Sequence, residues 1–167
     1  MKPSPALRRA AAAIRLLVLD VDGVLTDGRL WFGPRGEALK VFHVRDGHGI
    51  KSVMARGIDV AIISGRRSPA VVRRARELGI RHLRQGAGDK LATLDALCAK
   101  LGISRAECAC IGDDSPDAPV LSAVGLSFAV ADAHPDALAA AQRATRLPGG
   151  LGAVREVCDL LCAAQRP

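Results

Sequence analysis

Short apolar runs with almost no polar interruption constrain this chain more than any other feature. Residues 16–19 read Leu-Leu-Val-Leu and stop at Asp20, and 58–63 stops at Ser64. Residues 108–111 stop at Gly112-Asp113-Asp114, and 126–130 at Ala131-Asp132; 80–83 is a weaker run of the same kind. A strand with one wet face alternates polar and apolar residues. An unbroken run suits a strand buried on both faces, as in a parallel sheet. Helical patterns fill the intervals, over 47–56, 69–78, 90–101, 116–124, 135–141 and 152–163. Several open on Pro or Asp and close at Gly57, Gly79, Gly102 or Gly125, the expected punctuation of helices. The alternation predicts an α/β fold, a central parallel sheet flanked by helices. At 167 residues the chain is expected to be a single domain over 14–167. The Pro- and Ala-rich residues 1–13 are expected to be a flexible tail. One segment breaks the rhythm. Residues 28–32 and 37–44 read as two strands joined by Gly33-Pro34-Arg35-Gly36, a hairpin inserted after the first strand at about 28–44.

In an open α/β sheet, ligands bind beyond the carboxyl ends of the strands. The chain collects its polar residues there. Asp20 and Asp22 follow the first run, Ser64 ends the second, Lys90 opens the helix after the third, and Asp113, Asp114 and Asp117 follow the fourth. Carboxylates converging from two strand ends suit a hard divalent cation such as Mg²⁺. A hydroxyl, an ammonium and the backbone donors of a helix start after Ser64-Gly65 suit a phosphoryl group. A carboxylate nucleophile two residues from a second carboxylate supplies covalent catalysis with acid–base help. Each piece has a plainer reading alone. Asp20-x-Asp22-Gly23 could be a hairpin turn, Gly112-Asp113-Asp114 a helix cap, and Ser64 an N-cap. The plain readings do not explain why all arrive in order, each at a strand end or helix start.

Net charge is +7, from 24 Lys and Arg against 17 Asp and Glu. Seven arginines crowd residues 66–84 beside one acid, Glu77. A basic surplus of this kind suits an anionic partner or a solvated helix face. Nucleic acid is not the expected partner. Only Trp31, Phe32, Phe42 and Phe128 are aromatic, too few for base stacking, and no nucleic-acid-binding motif is present. No Walker phosphate loop occurs; Gly149-Gly150-Leu151-Gly152 reads as a turn into the last helix. The five cysteines form no C-x-x-C pair, so neither a disulfide framework nor a zinc ribbon is expected; Cys158 and Cys162, four apart, read as core. Arg15 and Asp20 spoil any likeness of the N-terminus to a signal peptide, and no run is long enough to span a membrane. A cytoplasmic location is expected.

The motifs resemble those of the haloacid dehalogenase (HAD) superfamily: Leu19-Asp20-Val21-Asp22-Gly23-Val24-Leu25-Thr26, then Ile63-Ser64-Gly65, Lys90, and Gly112-Asp113-Asp114-x-x-Asp117. Within it, the chain is similar to the phosphatases of 3-deoxy-D-manno-octulosonate 8-phosphate (KDO 8-phosphate), which act in lipopolysaccharide precursor synthesis. That likeness runs from about residue 14 to 165. It includes Val44-Arg45-Asp46-Gly47, Gln85-Gly86, the stretch 130–135 and the stretch 152–158. The resemblance implies a Rossmann-like HAD fold with a minimal cap formed by the hairpin. It implies Asp20 as the nucleophile that forms an aspartyl phosphate. Asp22 would protonate the leaving hydroxyl and then activate water. Asp20, Asp113 and the main-chain carbonyl of Asp22 would hold Mg²⁺, and Ser64 and Lys90 would hold the phosphoryl group. Asp114 would orient Lys90 or a metal-bound water, Asp117 would close the loop, and Arg66 and Arg74 would face the substrate's carboxylate, a bidentate pairing guanidinium favours. It also implies a homotetramer assembled through the hairpin, with Trp31 and Phe32 on the contact face. The chain departs from some relatives at its C-terminus, where they carry a longer tail reaching a neighbour's site; tail-gated closure is not expected here.

Two other functions compete. A phosphatase of the same kind could act on a nine-carbon keto-acid phosphate. A phosphoacceptor receiver domain also uses acids, Mg²⁺ and Lys on an α/β sheet, but needs an acceptor Asp at the third strand, where none occurs.

Overall fold

The structure, a computed structural model, describes residues 4–165. Six strands form one parallel sheet: β1 (Leu16–Leu19), β4 (Asp59–Ser64), β5 (His82–Gln85), β6 (Cys108–Gly112), β7 (Leu126–Ala129) and β8 (Arg143–Ala144), in the order β5-β4-β1-β6-β7-β8. Each unbroken apolar run feeds both faces of that sheet. Leu17 and Leu19 of β1 pack with Val60 and Ile62 of β4 and Ala109 and Ile111 of β6 on one face. Leu16 and Val18 pack with Ala61, Ile63, Cys108 and Cys110 on the other. The first face is covered by α1 (Pro5–Ala12), α2 (Val44–Met54), α3 (Pro69–Leu78) and α7 (Ala153–Ala164). The second is covered by α4 (Lys90–Leu101), α5 (Ala118–Ala123) and α6 (Pro135–Ala140). All five cysteines are buried thiols, with Cys158 and Cys162 in the first core layer.

Three expectations shift. Residues 5–12, read as part of a tail, form α1: Ser4 caps it by accepting from Leu7 N–H, and Ala11 is fully buried against the core. Short helices gain stability from such tertiary packing rather than from propensity. Residues 1–3, 166 and 167 lie outside the described residues. The third strand begins at His82 rather than residue 80. Gly79 ends α3 in the left-handed conformation and Ile80 N–H reaches back to Ala75 C=O, so Ile80 seals the helix cap instead of joining the ladder. β8 pairs with β7 through only two residues, both exposed, and leaves no apolar signal to read.

The hairpin forms from β2 (Trp31–Gly33) and β3 (Gly36–Leu39), shorter than read. Its register slips by one residue between the Trp31–Leu39 and Phe32–Glu37 pairs. Residue 44 belongs to α2, whose N-cap is His43, accepting from Arg45 N–H. Asp46 then ties α2 to α7 by accepting from Arg155 N–H at 2.7 Å. The turn at 149–152 packs against the loop after β1. Gly150 N–H donates to Val24 C=O at 2.9 Å, and any side chain at Gly149 would strike Gly23 C=O.

Candidate active site

Strand β1 runs to β4 on one side and stands beside β6 on the other, so the connections reverse direction at β1. Such a switch point opens a crevice at the carboxyl ends. A cavity of about 190 Å³ lies there, lined by Asp20, Asp22, Ser64, Gly65, Arg66, Lys90, Asp113, Asp114, Pro116 and Asp117. It brings together every expected site residue except Arg74.

Lys90 lies near the centre of the carboxylates. Its Nζ donates to Asp117 Oδ1 at 2.7 Å and stands 3.0 Å from Asp20 Oδ1. Asp117 is spent in structure: its second oxygen accepts from Asp113 and Asp114 N–H at 3.1 and 3.3 Å. That leaves Asp113 Oδ1 buried with no hydrogen-bond partner, and Asp20 Oδ1 buried with only the Lys90 ammonium against it. One oxygen from each of Asp20, Asp113 and Asp117 falls within 4.8 Å of the others. Buried carboxylate oxygens without donors are costly unless something positive meets them. A hard divalent cation fits this donor set. Asp113 has an unpartnered oxygen for it and Asp20 meets only Lys90, while both oxygens of Asp117 are already committed to Lys90 and the loop.

The electrostatics follow from three acids and one ammonium crowded into a largely buried pocket. Burial and the Asp117 charge push the Asp20 carboxyl from 3.8 up to about 6, against the pull of Lys90. Burial, with the charges of Asp20 and Asp117, pushes Asp113 up to about 8. Burial works against the Lys90 ammonium, but Asp20 and Asp117 outweigh it and hold the proton on.

Local chemistry explains the placement. Gly23 takes φ of +92°, and a side chain there would run into the Asp113 carboxylate. The glycine of the Asp-x-Asp-Gly stretch therefore serves both a turn and a close approach. His134 N–H donates to Asp113 C=O at 2.7 Å, and Asp132 accepts from Gly149 N–H. Residues 130–135 thus buttress the acid loop. Asp114 turns outward: its carboxylate accepts from Ser115 N–H and lies 4.0 Å from His134 Nδ1. Lys90 is oriented by Asp117, not by Asp114. Helix α3 begins at Pro69, so the donor beside Ser64 is a loop amide, Arg66 N–H, at 3.4 Å from Ser64 Oγ. Arg74 lies apart, paired with Glu77 at 3.0 Å and stacked over Phe42, in an adjoining groove of about 590 Å³.

Sequence reading missed Glu37 and Lys40. The Lys40 ammonium contacts Asp22 Oδ1 and stands 3.1 Å from Glu37 Oε2. Arg66 lies 3.5 Å from both Asp22 Oδ2 and Glu37 Oε2. Ser68 Oγ donates to Glu37. Burial raises the Glu37 pKa, but the bonds from Ser68, Lys40 and Arg66 prevail and hold it below the usual range. A two-residue strand period puts Glu37 and Lys40 on opposite faces. They meet because β3 stops at Leu39, so Lys40 lies outside the strand and its period.

Comparison with known proteins follows the same lines. A family of haloacid dehalogenase-like hydrolases matches residues 83–148. The 3-deoxy-D-manno-octulosonate 8-phosphate phosphatase of Yersinia pestis is 55% identical over 155 residues, 93% of this chain and 83% of that protein. Its counterpart in Escherichia coli K12 is 54% identical, covering 93% and 82%. The crystal structure of the Moraxella catarrhalis phosphatase of that name, in complex with magnesium, phosphate and KDO, superposes with a TM-score of 0.93. It is 42% identical and covers 97% of this chain and 93% of that one.

Proposed function

The chain belongs to the 3-deoxy-D-manno-octulosonate 8-phosphate phosphatases, within the haloacid dehalogenase-like hydrolases, and from that premise we propose how its residues divide the work. It is a Mg²⁺-dependent phosphoric monoester hydrolase that converts KDO 8-phosphate to KDO and phosphate, a step in lipopolysaccharide precursor synthesis. The observation that carries the site assignment is the convergence of buried oxygens of Asp20, Asp113 and Asp117 around Lys90, with Asp113 Oδ1 left unpartnered.

In our reading Asp20 attacks phosphorus. The P–O bond to C8 of the sugar breaks as the aspartyl phosphate forms. Asp22 gives its proton to the departing C8 oxygen, then takes one from the water that attacks the aspartyl phosphate. Phosphate leaves and Asp20 is regenerated. Ser64 and Lys90 hold phosphoryl oxygens. Mg²⁺, held by Asp20, Asp113 and the Asp22 carbonyl, offsets the repulsion between the carboxylate and the phosphoryl oxygens. Asp117 keeps Lys90 aimed and the loop closed, and Asp114 caps the turn beside it. Arg66, at the mouth, and Arg74, in the adjoining groove, are the guanidinium groups for the sugar acid's carboxylate. Side-by-side turnover tests the substrate: the eight-carbon ester is expected to exceed a nine-carbon keto-acid 9-phosphate by at least about 10-fold in kcat/KM, the scale that pocket contacts discriminate. A preference for the nine-carbon ester would overturn the choice.

The same reading makes the enzyme a cytoplasmic homotetramer. No helix among the described residues is long and apolar enough to cross a membrane. The hairpin exposes Trp31, Phe32, Leu39 and Val41, with Phe32 67% exposed, an apolar patch of the kind that marks an interface. Sedimentation is expected to give four chains for the wild type, and smaller species for Phe32→Asp. A wild-type monomer at micromolar concentration would remove the tetramer.

A further inference from the structure

We propose that Lys40 is a positioning residue for Asp22, carried into the active site by the hairpin and held there by Glu37. The proposal rests on the acid–base reading of Asp22. Lysine is almost never fully buried unless paired, and the Lys40 side chain is 1% exposed. Its partners are Asp22 on the catalytic loop and Glu37 on the hairpin. Glu37 is in turn fixed by Ser68, just ahead of α3. The hairpin, β4–α3 loop and catalytic loop are thereby joined in one network of two carboxylates and two cations.

Both oxygens of Asp22 are engaged, Oδ1 by Lys40 and Oδ2 by Arg66. The two contacts are unequal. Arg66 stands 3.5 Å away on a side chain 46% exposed, where an ion pair contributes little. Lys40 is close, buried and backed by a second carboxylate. A carboxylate otherwise turns freely about its terminal torsion, and a proton donor must stay within hydrogen-bond reach of the departing oxygen. Lys40 also stands between two hollows. It lines the groove that holds Arg74, while Asp22 lines the cavity of Asp20 and Lys90. The acid is thus held at the junction of a phosphoryl pocket and a sugar-acid groove.

The test compares wild type, Lys40→Met, Lys40→Arg and Asp22→Asn at saturating Mg²⁺. Two substrates are used: the sugar-acid phosphate, whose alkoxide needs a proton to leave, and 4-nitrophenyl phosphate, whose phenolate does not. Lys40→Met is expected to lower kcat on the sugar ester about 100-fold, the cost of roughly 1 Å of misplacement, with KM changed less than about 3-fold. Its pre-steady-state burst of 4-nitrophenolate should stay near the wild-type rate. Lys40→Arg should recover at least about tenfold of the lost kcat. A rise in KM with kcat intact would make Lys40 a substrate contact and overturn the proposal. So would equal slowing of the burst and of the sugar ester, which a merely structural role predicts. An unchanged Lys40→Met beside a crippled Asp22→Asn defeats the role of Lys40 alone. An Asp22→Asn enzyme at full rate defeats the acid–base reading itself, and the proposal with it.

Discussion

Asp20→Asn should lose phosphatase activity by about 10⁵-fold or more, the scale on which losing a nucleophile removes a covalent mechanism, while the protein becomes no less stable. The two halves have one cause. Burial and the Asp117 charge push the Asp20 carboxyl from 3.8 to about 6, so ionising it in the fold costs on the order of 3 kcal/mol. The ion pair with Lys90 at 3.0 Å is already counted in that balance. An amide of the same shape removes the charge and the cost together, and leaves Lys90 its bond to Asp117. The expected result is an inactive enzyme whose Tm without metal is equal to or above wild type. Activity within tenfold of wild type would show that Asp20 is not the nucleophile. Inactivity with a collapsed Tm would show that it is structural.

Removing the metal should abolish turnover and invert the usual dependence of stability on pH. Asp20 and Asp113 titrate near 3.8 when unfolded, and near 6 and 8 in the fold. Between those values the native state binds more protons than the unfolded chain, so unfolding free energy falls as pH rises. In chelator, Tm should drop from pH 5 to pH 8. Mg²⁺ should reverse this, because it binds the deprotonated carboxylates. At 100 times its dissociation constant a cation adds about 2.7 kcal/mol, or about 5–10 °C for a chain of this size. That gain is expected at pH 8 and should shrink toward pH 5. A Tm in chelator that rises over this interval, or a Mg²⁺ shift independent of pH, would mean the two acids do not face each other as described.

The legibility of the site follows from the same physics. Asp20, Ser64, Asp113 and Lys90 could be read because backbone position alone places them: each ends a buried run or opens a helix, and a parallel sheet sends all such residues to one rim. Arg74 was read with them but lies in the adjoining groove, held by Glu77 and Phe42. Helical position does not say which of two neighbouring hollows a long side chain enters. Asp114 and Asp117 were distinguishable only once the loop closed, when Asp117 took Lys90 and two backbone amides and Asp114 turned to solvent.

Hydrophobic patterning by itself determined the α/β class and the order of the site acids, because burial on both faces demands apolar runs where the chain crosses the middle of the sheet. The tertiary structure alone decided which charges meet. Strand period would separate Lys40 from Glu37, and they come together with Asp22 and Arg66 because β3 stops at Leu39 and Lys40 lies beyond it. Pairing of this kind depends on distances of a few ångströms between segments far apart in sequence, which a local pattern does not encode.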